Sequence, residues 1–66
     1  MKLHNNTNFV VVNKDHYGEL TVNQFVNFEA ARFTYDRFTK MGRRVKLFAV
    51  SPAENVKVLM WDNEND

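Results

Sequence analysis

Phe28, Ala31, Tyr35 and Phe38 recur at steps of three, four and three, the spacing that gathers apolar side chains on one face of an α-helix. This is the clearest periodic segment of the 66-residue chain, so the fold is built around one helix, predicted from Asn27 to Met41. Asn27 suits the N-cap, and Glu29 places a negative charge in the first turn. Lys40 lies in the last turn, Arg43 and Arg44 follow it, and Gly42 suits the residue just past the end. Val26, before the cap, is expected to pack on Ala31 as a hydrophobic staple. Thr21-Val22-Asn23-Gln24 also has capping-box form. That earlier start would lengthen the helix by about two turns; Asn27 is preferred.

Strand signals flank the helix on both sides. Asn8-Phe9-Val10-Val11-Val12-Asn13 is a β-branched run between polar residues. After Lys14-Asp15-His16-Tyr17-Gly18, in which Gly18 supplies a turn residue with positive φ, Glu19-Leu20-Thr21-Val22 alternates and closes a hairpin. Beyond Gly42, residues 43–50 read as a third strand. Ser51-Pro52-Ala53-Glu54 reads as a turn with Pro52 at its second position, and Asn55 to Trp61 as the last strand. The expected fold is α+β: a small antiparallel sheet in ββαββ order with one helix packed on one face. Residues 1–66 make a single small domain, with 1–7 and 62–66 as frayed tails.

One helix covers one face of a sheet, so the other is open unless something else covers it. In the last two strands, Val45, Leu47, Ala49, Val56, Val58 and Met60 share one parity and suit the helix side. The opposite parity holds Lys46, Phe48, Val50, Asn55, Lys57, Leu59 and Trp61. A solvated face has no need of Phe48, Val50, Leu59 and Trp61 together, and contiguous exposed apolar surface marks an interaction site. The competing expectation is that the N-terminal segment or a loop covers it. Phe33, off the helix stripe, is expected to flank the core, with half-exposure as the other reading.

A net charge of +1 hides an uneven distribution. Arg32, Arg37, Lys40, Arg43, Arg44 and Lys46 stand against Asp36 alone in the middle of the chain, and the last five residues carry Asp62, Glu64 and Asp66. Lys and Arg on one surface suit phosphate contacts, and Phe48 and Trp61 beside Lys46 and Lys57 could stack on unpaired bases. On this second reading Arg37, Lys40, Arg43 and Arg44 bind single-stranded nucleic acid. The glycine- and aromatic-rich consensus of RNA-recognition sheets is absent, and cations at a helix C-terminus are ordinary dipole partners.

Catalysis has little support. There is no Cys, Ser51 is the only Ser, and His4 and His16 fall in an expected tail and loop. No ligand spacing points to a metal, and Gly18 and Gly42 are the only glycines, so no glycine-rich phosphate loop exists. The expectation is a non-enzyme with no cofactor and no metal. No apolar run approaches the length of a membrane span or a signal peptide. The Cys-free composition fits the cytoplasm.

As a whole the chain resembles small early or accessory proteins of tailed bacteriophages: short, Cys-free, rich in Asn and Lys, with one helix on a short sheet and an aromatic residue near an acidic terminus. The resemblance implies a non-enzymatic protein-interaction module that modulates or inhibits a host protein, such as RNA polymerase, a nuclease or a defence factor, in the host cytoplasm. Partner binding is expected at Phe48, Val50, Leu59 and Trp61, rimmed by Lys46 and Lys57. Homodimerisation through the same face would also relieve the shortage of core in so small a domain.

Overall fold

The computed structural model describes residues 7–51 and 53–63. Its elements are β1 (Asn8–Lys14), β2 (Leu20–Phe25), α1 (Phe28–Lys40), β3 (Arg44–Ser51) and β4 (Val56–Asp62). The strands form one antiparallel sheet in the order β2-β1-β3-β4. Helix α1 crosses one side, chiefly over β1 and β3. The fold is α+β, as the alternation of periods predicts.

Local chemistry sets the boundaries. Asn27 caps α1, its side chain accepting the Glu29 backbone N–H at 2.7 Å. This is the later of the two helix starts weighed from the sequence. At the other end Gly42 adopts a φ of 82° and donates to the Thr39 carbonyl at 3.0 Å, closing the helix as a glycine in the left-handed region can. The expected staple does not form: Val26 is 82% exposed while Ala31 is fully buried. Strand β2 runs to Phe25, past the predicted alternation. There Phe25 sits opposite Phe9 and packs against the core.

In the first hairpin turn, the Asp15 carboxylate accepts the backbone N–H groups of Tyr17 and Glu19, each at 2.9 Å. Gly18 has a φ of 83° and donates to the Asp15 carbonyl at 3.0 Å. In the second, Glu54 donates to the Ser51 carbonyl at 3.2 Å, and Asn55 takes a φ of 56°, a conformation Asn tolerates better than most side chains. Pro52 lies outside the described residues, as do 1–6 and 64–66.

The core is small and lies wholly on the helix side. Val11, Ala31, Val45 and Leu47 are fully buried, and Phe9, Phe25, Phe28, Tyr35, Phe38 and Trp61 pack around them. Among the described residues, Asn13 is the buried polar one. Its side chain donates to the Thr21 carbonyl at 3.4 Å and accepts from Arg43 Nη1 at 3.0 Å, which meets the need of a buried amide for partners.

The expected fraying of residues 62–66 is wrong at its start. Asp62 ends β4. The Asn63 side chain accepts the Val45 N–H at 2.9 Å and donates to the Arg43 carbonyl at 2.9 Å and to Thr39 Oγ1 at 3.0 Å. One amide thus ties the end of β4 to the start of β3 and the end of α1.

Candidate interaction face

Pairing register assigns each strand residue to a face. Val10 stands opposite Gln24 on β2 and Phe48 on β3, and Phe48 stands opposite Leu59 on β4. In the next row Val22, Val12, Lys46 and Asp62 lie side by side. Beyond it Lys14 is flanked by Leu20 and Arg44. At the other end Val50 is paired with Lys57. All of these project away from α1. The result is a four-stranded face on which Val10, Val12, Val22, Phe48, Val50 and Leu59 are interspersed with Lys14, Gln24, Arg44, Lys46, Lys57 and Asp62. Among the described residues, Asp62 is its one carboxylate. Val22 is 62% exposed and Leu59 46%.

Phe48, Val50, Leu59, Lys46 and Lys57 are therefore brought together as the sequence suggests. Lys57 Nζ lies 4.9 Å from the centre of the Phe48 ring, close enough for a cation–π contact. Trp61 is not among them. Pairing steps from Phe48–Leu59 to Leu47–Trp61, leaving Met60 as an extra residue in a β-bulge. A bulge shifts side-chain parity by one. It turns Trp61 to the helix side, where its ring lies 5.6 Å from Phe28 and 5.4 Å from Tyr35. Phe9 continues the series, 5.4 Å from Phe28. On that side the large indole joins the aromatic rings around the core, while Met60 is left 40% exposed. Val56 and Val58, assigned to the core by parity, keep the helix side but are 43% and 54% exposed, because α1 lies over the central strands.

The basic cluster does not form one surface. Arg37 and Lys40 stand on the outer side of α1, around a shallow hollow they share with Phe33 and Asp36. Phe33 is 66% exposed, not a flank of the core. Arg43 turns inward to Asn13, with its guanidinium 5.3 Å from the centre of the Phe38 ring. Arg44 and Lys46 belong to the open sheet face. Arg32 lies 5.8 Å from the centre of the Trp61 ring and 4.0 Å from Asp36.

Sequence reasoning missed Val10, Val12, Val22 and Lys14 as parts of the face. The signal was available: in the first hairpin these alternate with Val11 and Asn13 as strand residues of opposite parity. A hollow of about 400 Å³ opens on the face, lined by Val12, Lys14, Leu20, Arg44 and Lys46. Among the described residues, no group of three His, Asp or Glu side chains is placed to hold a metal ion. Among the same residues, no helix is long and apolar enough to cross a membrane. Comparison with known proteins finds no matching family model, no similar curated protein and no similar solved structure.

Proposed function

We propose that this protein acts by binding another protein through the open face of its sheet, without catalysis of its own. The observation that supports the reading is the group of apolar side chains on the side opposite α1, where Val22 and Leu59 are exposed and Val10, Val12, Phe48 and Val50 are half-buried. Solvent-facing sheet surfaces are ordinarily polar, and apolar side chains gathered on one mark it as a candidate interface. Phe48 is the aromatic anchor at its centre. With the resemblance to phage accessory proteins, the reading extends to a modulator of a host protein in the host cytoplasm.

Single-stranded nucleic-acid binding has less support. Arg37, Lys40, Arg43 and Arg44 are divided among three surfaces, and Trp61 is withdrawn from the face, so among the described residues Phe48 is the one aromatic ring there. Stacking platforms use several rings in succession.

The test is capture from a bacterial lysate with the tagged full chain, with and without nuclease, beside Leu59→Asp and Arg37→Glu variants. The expected result is a stoichiometric protein that survives nuclease, is lost with Leu59→Asp and is retained with Arg37→Glu. Capture indifferent to Leu59, or abolished by nuclease, overturns the reading. Trp61→Ala, the natural choice from the sequence alone, is uninformative because it opens the core.

A further inference from the structure

The two edges of the sheet are unequal. Strand β4 carries Lys57 and Asp62 and is interrupted by the bulge at Met60. Charges and bulges are the means by which an edge strand is kept from pairing with another chain. Strand β2, Leu20-Thr21-Val22-Asn23-Gln24-Phe25, has neither, contains no proline, and keeps an unbroken register with β1. Among the described residues, no strand lies beyond it. Leu20 is 61% exposed and Val22 62%.

The first turn fixes which backbone groups of β2 point outward. The Asp15 N–H donates to the Glu19 carbonyl at 3.1 Å, so that pair is hydrogen-bonded, and in an antiparallel ladder bonded pairs alternate with unbonded ones. Counted along the register, Thr21, Asn23 and Phe25 direct their N–H and C=O groups at β1. Leu20, Val22 and Gln24 direct theirs away from it. The same count carried across the sheet turns the Val45 N–H toward β4, where the Asn63 side chain accepts it at 2.9 Å.

This outward set is self-complementary. A second β2 laid antiparallel, with a two-fold axis at Val22, places Val22 opposite Val22 and Leu20 opposite Gln24 of the second copy. All are outward-pointing residues, so each of the three pairs exchanges two backbone hydrogen bonds. No charged side chain of β2 meets its like on the axis; an exposed valine meets a valine. Opposite residues share a face of the sheet, so both helices fall on one side and both open faces on the other. Helix α1 lies chiefly over β1 and β3, about 10 Å from the axis at roughly 4.8 Å per strand. Two helices of roughly 10–12 Å diameter therefore stand clear of each other.

We infer that two copies of this chain pair through β2 across a two-fold axis at Val22, joining two four-stranded sheets into one continuous sheet. The charged, bulged edge at β4 ends the assembly on both sides, so it closes as a pair instead of growing into a fibre. The inference is independent of the open-face reading, because it uses backbone groups at the rim of the sheet and leaves Phe48 and Leu59 uncovered.

The test is sedimentation equilibrium of the full chain from micromolar to millimolar concentration. One strand pair is a small contact, so a reversible dimer is expected within that range. Val22→Lys and Val22→Glu, each alone, should weaken association at least about tenfold, because like charges then meet on the axis. An equal mixture of the two should restore it as a heterodimer. Leu59→Asp should leave it unchanged. In the wild type, hydrogen exchange at the Leu20, Val22 and Gln24 amides should slow as concentration rises, while the Thr21, Asn23 and Phe25 amides are protected throughout. That measurement needs no variant, so it decides the matter if a charged variant fails to fold.

A chain that stays monomeric to millimolar concentration overturns the inference. So does a dimer that Leu59→Asp disperses, which would place the contact on the open face, or a charge-swapped mixture that does not associate. Exchange at Leu20, Val22 and Gln24 that ignores concentration, or that slows only when a different protein is bound, also sinks it.

Discussion

Arg43 joins three parts of the molecule, two through its side chain and one through its backbone. It donates to Asn13 inside the sheet, covers the Phe38 ring of α1, and offers its carbonyl to Asn63 beyond β4. Arg43→Ala leaves the Asn13 amide oxygen buried without that donor, a loss that costs about 1–3 kcal/mol. Urea denaturation should show it as a fall in midpoint, with Arg43→Lys recovering part. A phosphate-binding role predicts the reverse: oligonucleotide affinity falls while stability holds. At the helix cap, Asn27→Ala removes the acceptor of the Glu29 N–H and should cost about 0.5–2 kcal/mol, read by thermal melting of the helical circular dichroism signal. The cap was legible in the sequence because capping is local: residue type and position suffice. The partners of Asn13 and Asn63 were not, since Arg43 is 30 residues from Asn13 and Val45 is 18 from Asn63.

Among the elements, α1 and its neighbours were legible from period alone, but β4 was not. Val58-Leu59-Met60-Trp61 is an unbroken apolar run, and such a run carries no alternation from which parity can be read. The bulge at Met60 decides which side Trp61 takes. Deleting Met60 converts the pairing of Leu47 with Trp61 and Phe48 with Leu59 into a regular ladder. Trp61 should therefore stay shielded from acrylamide quenching in both the wild type and the deletion. Uninterrupted pairing predicts instead an exposed Trp61 in the wild type that becomes shielded on deletion.

The β1–β2 turn makes a separate prediction. The backbone N–H of Glu19, and after it that of Tyr17, holds the Asp15 carboxyl below its ordinary value of 3.8. Arg43 and His16 add attraction, and partial desolvation opposes. A depressed folded-state pKa means that the carboxylate's contribution is complete above the ordinary value and is lost as pH falls through the folded one. The Tyr17 and Glu19 amide resonances should report loosening of the turn on acidification below the ordinary carboxylate value, and Asp15→Asn should remove that step.

At the scale of the whole molecule the two faces of the sheet are unequal, and the inequality can be measured. Among the described residues, the four fully buried apolar ones lie between the sheet and α1, so stability is generated on one side. For a chain of this length total stability is about 3–10 kcal/mol. Leu47→Ala, at about 2–5 kcal/mol, should leave a large unfolded population in urea titrations. Val22→Thr and Leu59→Thr, on the open face, should stay within about 0.5 kcal/mol of the wild type, because their apolar atoms already face water in the free protein. Equal losses on both faces would mean that the open side is already covered in solution. That outcome would contradict a surface kept bare for a partner. If the face is such a surface, a bound partner adds stability that grows with the logarithm of its concentration above Kd. That gain should vanish in Leu59→Asp and persist in Arg37→Glu, so the melting temperature reads the same interface that capture does. The small one-sided core and the apolar open face are then two aspects of one arrangement: a sheet supported from one side so that the other is left for binding.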